Sequence, residues 1–309
     1  MYRYLAVARI IVPAGWKSSE AVLIEAFKAL GCERWGGASN NGWSKIGDFL
    51  RCEYRYYLKH IKGLTCSTVL NDSSPALETG SYGHAALAAY YASLLPDDRY
   101  PGFRPKCPTP EALLLALDAA GAEPMALQEA RLVWSGYTEH WGEDGWTPMA
   151  VEMPAGDDKL HTCRYDLVAS VEDGIHDGIW AIDHKLLSPK ADPDLYALDG
   201  EILGEALCWT LSNLDETFGP LAGVCINVLF KGKPPRGMQP YFRRWFPLNE
   251  DLIRDFGRNR MYWQARINTC LKMDRFSKSH YGCVARYDTC LFWDHCATLS
   301  PSLLTPRVK

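Results

Sequence analysis

A chain of 309 residues, 47% hydrophobic and 23% charged, has the composition of an ordinary folded protein and room for two domains at most. No run approaches the ~18 apolar residues of a membrane span, and MYRYLAVARIIVPAG lacks the basic start and cleavage site of a signal peptide, so a cytoplasmic protein without membrane contact is expected. The net charge of −4 does not advertise a polyanion partner, and eleven cysteines in a reducing compartment point to buried thiols and metal ligands rather than disulfides.

Residues 1–43 form an N-terminal extension in which EAVLIEAFKAL has helical spacing before GCERWGGASNNG breaks it. Ser44 is placed as the cap of a helix reaching about Lys59. A polar loop with NDSSP follows, and GSYGHAALAAYYASLL predicts a helix from about Tyr82 with His84 in its first turn. Residues 96–110 are a proline-rich linker, and two helices fill 110–141 and end at Gly142, so a helical insertion occupies about 103–147. The period then shortens. MAVEM, TCRYDLVASV and GIWAIDHKL predict three strands, the last two paired as a hairpin around EDGIHDG. A helix over LDGEILGEALCWTLSNL, strands GVCINVLFK and PYFRRWFPL, a long helix over 249–273 and a cysteine-bearing tail complete the chain.

The strand ending in Asp183-His184-Lys185 projects Asp183 and Lys185 from one face and His184 from the other. Asp166 lies near the centre of the partner strand and reaches the same region. Two carboxylates on neighbouring strands suit a hard divalent ion, magnesium or manganese, with Lys185 placed to orient or deprotonate an attacking water. An Asp-x-Lys pair is equally an ordinary salt bridge on a sheet. His84, beside the Gly80–Gly83 pair, is a third candidate ligand, and Glu152 on the first strand a further carboxylate. Basic residues recur at Arg51, Arg55, Lys59 and Lys62, at Lys231, Lys233 and Arg236, and at Arg243 and Arg244. Solvated surface and contact with a nucleic-acid backbone are both open for them. Tyr262, Trp263, Tyr281 and Trp293 are candidates for base stacking or for the core.

Cys283, Cys290 and Cys296 cluster in YGCVARYDTCLFWDHC, and Cys52 lies about 230 residues upstream in FLRCEYRYYLKH. Four thiolates hold either tetrahedral zinc or a cubane iron–sulfur cluster. The wide three-plus-one spacing fits a cluster better than the close pairs usual for zinc. Closing a loop of that length costs roughly 5 kcal/mol, so such a site acts as a staple between the ends of the domain.

Five segments together resemble the PD-(D/E)XK nuclease superfamily in its RecB-like, iron–sulfur exonuclease branch, which includes AddB-type nuclease domains, CRISPR-adaptation exonucleases and phage relatives. These are WSKIGDFLRCEYRYYLKHIKGL, TGSYGHAAL, RYDLV, IDHK and the cysteine run, spanning about residues 44–297. The resemblance implies an α/β fold with a mixed central sheet flanked by helices over 44–309, closed by the iron–sulfur segment 283–296. It implies a catalytic set of Asp166, Asp183 and Lys185. Magnesium or manganese would be held by His84, Asp166, Asp183 and the His184 carbonyl, and a 4Fe-4S cluster by Cys52, Cys283, Cys290 and Cys296. It further implies hydrolysis of DNA, with single-stranded ends as substrate, in the cytoplasm of a bacterium or phage-infected host, alongside recombination or replication proteins. A DNA-binding module that keeps the fold without cleaving, and an iron–sulfur redox sensor, are the alternative functions. The chain departs from the family where a glutamine and a tyrosine often stand four apart after the lysine: EILGE places Glu201 and Glu205 there. Arg164 also replaces a frequent glycine.

Overall fold

The computed structural model describes residues 18–32, 39–66, 75–95, 108–142, 145–189, 192–279, 281–283 and 290–306. Helix α1 (Ser19–Ala29) opens on Ser18, whose hydroxyl accepts from the Ala21 N–H at 3.2 Å and so satisfies one of the donors a helix start leaves over. Helices α2 (Trp43–Arg51) and α3 (Glu53–Tyr56), a π-helical turn over Tyr57–Ile61 and strand β1 (Leu64–Cys66) follow. The single helix expected from Ser44 to Lys59 is therefore interrupted. Gly42, not Ser44, holds the cap position, and Cys52 is extended, with φ −166° and ψ 117°. At the break the Tyr54 N–H donates to the Ser277 carbonyl at 3.0 Å, a bond with a distant segment that an unbroken helix would have made internally.

Helices α4 (Pro75–Leu94), α5 (Pro110–Ala119) and α6 (Pro124–Trp141) come next. The start expected near Tyr82 is corrected to Pro75, which puts His84 in mid-helix. Of the two glycines beside His84, Gly83 is held in close approach, since a Cβ there would lie 2.3 Å from Leu186 Cδ2, whereas a Cβ on Gly80 would meet open space.

Strands β2 (Trp146–Asp157), β3 (His161–Val171), β4 (Gly178–Leu187), β5 (Leu221–Phe230) and β6 (Tyr241–Pro247) form one sheet in the order β2-β3-β4-β5-β6. β4 and β5 are parallel and the other neighbours antiparallel, so β3–β4 is the expected hairpin. The parallel step needs a crossover, supplied by α7 (Gly200–Leu211) and α8 (Leu214–Phe218). Alternation along β4 then separates two cores. Trp180 and Ile182 pack with Leu167, Ala169 and Leu229 beneath α1, α4, α5 and α6. Ala181 and Leu187 pack with Val168, Ile226 and Val228 against α7 and α8. Helix α1, part of the expected extension, contributes Val22, Leu23, Ala26 and Phe27 to the first core.

Helix α9 (Glu250–Met273) docks on the start of β3. Its Arg260 is fully buried and donates from Nε to His161 Nδ1 at 2.9 Å and from Nη2 to the Leu160 carbonyl. Burial, reinforced by the Arg260 charge, pushes His161 down to about 3. The tail forms α10 (Trp293–Thr298) and β7 (Leu304–Pro306), which pairs antiparallel with β1. Among the described residues no helix is long and apolar enough to cross a membrane.

Candidate active site

The β3–β4 ladder runs from Val171↔Gly178 to Leu167↔Ile182 and stops there, while β4 keeps its pairing with β5 through Leu187↔Phe230. The two strands fork at the next residues, Asp166 and Asp183. Asp166 turns its carboxylate into the gap, where Oδ2 accepts the His184 backbone N–H at 2.9 Å. His84 reaches down from α4 and places Nδ1 3.1 Å from the same oxygen. Burial opposes ionisation of Asp166, but His84, His184 and Lys185 outweigh it and hold the carboxyl well below its usual range. His84 is correspondingly raised: burial works against its charge, and Asp166 more than compensates.

On the same stretch of β4, Lys185 Nζ lies 2.8 Å from Asp183 Oδ2 and donates to Glu201 Oε2 at 2.9 Å. Glu201 and Glu205 project from α7. Burial comes first in pushing Asp183 up to about 7; Lys185 opposes it, and Glu201 and Asp166 add to it. Glu205 is 6% exposed, and its Oε2 has no hydrogen-bond partner among the described residues. Burial, then the charges of Asp183 and Glu201, drives its carboxyl well above the usual range. Lys185 is driven upward too: burial disfavours its charge, but Asp183 and Glu201 overcome that.

His184 points the other way. Its ring stacks on Tyr91 at 5.5 Å, and Asn227 Nδ2 lies 2.9 Å from its Nδ1. Asn227 also donates to Tyr137, whose hydroxyl is 2.5 Å from that of Tyr91. This buried network fixes β4 from behind. No sequence signal singled out Tyr91, Tyr137 or Asn227; only the register, which sets Asn227 beside His184, brings them together.

An open cleft of about 490 Å³ lies over the fork, lined by His84, Glu152, Asp166 and Lys185, by Leu23 and Phe27 of α1, and by Lys231. Of the carboxylate-set candidates, His84, Glu152, Asp166 and Lys185 line this cleft, whereas Asp183 meets Lys185 at the fork without lining it. Glu152 has φ 51°, left-handed backbone that a non-glycine residue seldom adopts, and its Oε2 lies 3.8 Å from Arg164 Nη1. Among the described residues no three His, Cys, Asp or Glu side chains converge at ligand distance. The fork carboxylates have neighbouring cations and donors: Asp166 faces His84 and accepts the His184 N–H, and Asp183 is ion-paired with Lys185, although its Oδ2 has no hydrogen-bond partner among the described residues. Oxygen donors with one imidazole, and the partnerless Glu205 oxygen beside them, form a set whose chemistry suits a hard divalent cation.

The four cysteines singled out by spacing line one cavity of about 290 Å³, together with Tyr54, Arg55, Lys278 and Phe292. The Ser279 N–H donates to Cys52 Sγ at 3.4 Å, Cys283 Sγ donates to the Ser279 carbonyl at 3.4 Å, and Arg55 Nη1 donates to Cys290 Sγ at 3.7 Å. Arg51 donates from Nε to the Gly282 carbonyl at 2.8 Å, and a Cβ on Gly282 would lie 2.2 Å from the Arg51 oxygen, so a glycine is needed for this approach. Burial, then the neighbouring Cys290, raises Cys283. Cys296 is raised by burial against the opposing charge of Lys278.

Several basic residues have structural partners. Arg55, Lys59 and His60 converge on the buried Asp48 at 2.5, 3.0 and 2.8 Å. Arg243 is sandwiched between Trp141 and Trp146, 3.8 and 3.5 Å from their ring centres, and Arg244 pairs with Asp194 at 2.7 Å. Trp263 packs on Trp43 and Phe256, whereas Tyr262 and Tyr281 are exposed.

The PD-(D/E)XK nuclease superfamily profile matches residues 43–199, just over half of the sequence, and the chain belongs to this superfamily. A crystal structure from Eubacterium rectale, of a protein provisionally designated an exonuclease, is similar at 11% identity and a TM-score of 0.45, covering 91% of this chain and 97% of that one. No curated protein matches the sequence.

Proposed function

We propose that the fork is the catalytic centre of a divalent-metal-dependent deoxyribonuclease that degrades single-stranded DNA from its ends. The observation that supports this most is the convergence of Asp166, Asp183, Lys185 and His84 at the point where β3 and β4 part, within a chain of nuclease ancestry. His84, Asp166, Asp183 and the His184 carbonyl would hold magnesium or manganese, with Glu152 beside them. Such an ion supplies Lewis acidity and a water activated near neutral pH. Asp166 and Asp183 would compensate its charge, and contacts with His84, the His184 N–H and Lys185 keep their carboxylates in place at the fork. Lys185 donates to the scissile phosphate as negative charge builds there. Held between Asp183 and Glu201, it is placed to orient the attacking water or the phosphate. Leu23, Phe27 and α4 wall the cleft and narrow the approach.

Cys52, Cys283, Cys290 and Cys296 would hold a 4Fe-4S cluster as a structural staple, which supports placement in the RecB-like branch. Their shared cavity, flanked by Arg55 and Lys278 to offset the negative charge of four thiolates, carries this part of the reading. Iron and sulfide near four per chain, with broad absorbance around 400 nm, is the expected assay; one zinc and no iron in anaerobically prepared protein would replace the cluster by zinc. For the catalytic reading, labelled linear and circular single strands are incubated with protein and manganese, then with EDTA. Loss of linear DNA only, abolished by EDTA, is expected. Cutting of circles would make the protein an endonuclease, and no cutting of either would remove the catalytic reading.

A further inference from the structure

We propose that Glu201 is the positioning residue for Lys185, an anionic clamp standing where relatives often carry glutamine; the inference rests on the nuclease reading above. Lys185 Nζ has two anionic partners, Asp183 Oδ2 at 2.8 Å and Glu201 Oε2 at 2.9 Å. If Asp183 were to ligate a cation, Glu201 would be the anion left to Lys185. The Tyr196 ring, 5.9 Å from Nζ, closes another side of the ammonium. An ammonium has three protons to donate. With one on Glu201, two would remain for phosphate if Asp183 turned to a cation.

The backbone carrying Glu201 is itself fixed. Asp199 caps α7 by accepting the Glu201 N–H at 2.8 Å. Gly200, the first helical residue, lies under the Trp43 ring so closely that a Cβ there would be 2.4 Å from ring carbons. The helix start can therefore neither slide nor tilt without moving α2. Glu205, one turn further along the same helix, is buried and does not reach Lys185 Nζ in an ion pair among the described residues. The clamp is thus specific to Glu201.

Two measurements test it. The first is acylation of Lys185 by acetic acid N-hydroxysuccinimide ester, followed by peptide mass spectrometry and referenced to the exposed Lys159. It needs no nuclease activity. Glu201→Ala should label several-fold faster than wild type with an unshifted melting midpoint, and Glu201→Gln should fall between them. The second is manganese-dependent cleavage of a labelled single-stranded oligonucleotide. Glu201→Ala should lower kcat roughly tenfold, the worth of one charge-assisted hydrogen bond, with KM within about twofold, and Glu201→Gln should recover most of the loss. Equal labelling of wild type and Glu201→Ala would overturn the clamp whether or not DNA is cut. Faster labelling with unchanged kcat would overturn its role in the reaction. Faster labelling in a protein whose wild type cuts nothing would uphold the clamp and defeat the nuclease reading alone.

Discussion

The carboxylate fork and the cysteine cavity are built in opposite ways. The fork lies within a continuous sheet: β2, β3 and β4 are consecutive, and most of the groups that meet there come from a short stretch of chain. Its charges are already matched, Asp166 to His84 and Lys185 to Asp183 and Glu201. The cysteine cavity joins the α2–α3 break to a tail about 230 residues away, and its thiols have only weak contacts with backbone and Arg55. A site inside a core can lose a functional group and keep its frame, whereas a site made of chain ends is part of the frame. The fork should therefore govern rate, and the cavity stability.

The sharpest way to break that contrast is at Asp183. A carboxylate that burial pushes up to about 7 is costly to keep ionised, so Asp183→Asn should leave the melting midpoint unchanged or raise it. Cleavage should fall at least ~10³-fold, about 4 kcal/mol of transition-state stabilisation. A kinetic assay beside a thermal melt checks both, and an unstable, active variant would reverse the contrast.

At the other end, Cys52→Ala should cost roughly 2–5 kcal/mol, within the entropy of the loop that the staple closes. The full loss is not expected, because the β1–β7 ladder and the Tyr54–Ser277 bond still hold the ends. Activity should track the folded fraction, and Cys296→Ala should behave alike. Denaturant melts with iron analysis check this; full stability with intact absorbance would show that Cys52 is not a ligand. Gly282→Ala is a gentler probe of the cavity. The new Cβ meets the Arg51 carbonyl, so a loss of about 1–3 kcal/mol and of iron is expected, with the specific activity of loaded protein unchanged.

Acid offers a control outside both regions. His161 is neutral in the fold, with its pKa lowered to about 3 from an ordinary 6.5. The folded state therefore binds fewer protons than the unfolded one. Stability is full above pH 6.5 and falls as pH drops from 6.5 toward 3, by up to ~1.4 kcal/mol per unit. Melting midpoints at pH 7 and pH 5 should differ accordingly, and His161→Gln should flatten the slope without altering iron content.

Much of the arrangement was legible before any coordinates. Period-two runs separated by Gly/Asp turns predict the β3–β4 hairpin, and Asp183 and Lys185 share a face because side chains alternate along a strand. What escaped were features that depend on distant partners. The break at Cys52 is sustained by the Tyr54 N–H bond to the Ser277 carbonyl, so local helical pattern runs straight through it. The start of α4 at Pro75 rather than near Tyr82 escaped because the polar NDSSP loop before it reads as a break. Strands β1 and β7 are three residues each, too short for a periodic signal, and pair only because the chain ends meet. Arg51 and Arg55 resemble surface charge until the tail arrives to bond them.

The central claim is that the fork, and not the molecule's general charge, performs metal-dependent phosphodiester cleavage. The most direct test is single-turnover digestion of an end-labelled linear single strand by wild type and Asp183→Asn, matched for melting midpoint and iron content, across a manganese titration. Wild type should show saturable, manganese-dependent cleavage, and Asp183→Asn none above background at any manganese concentration. Equal cleavage by the two proteins would contradict the claim.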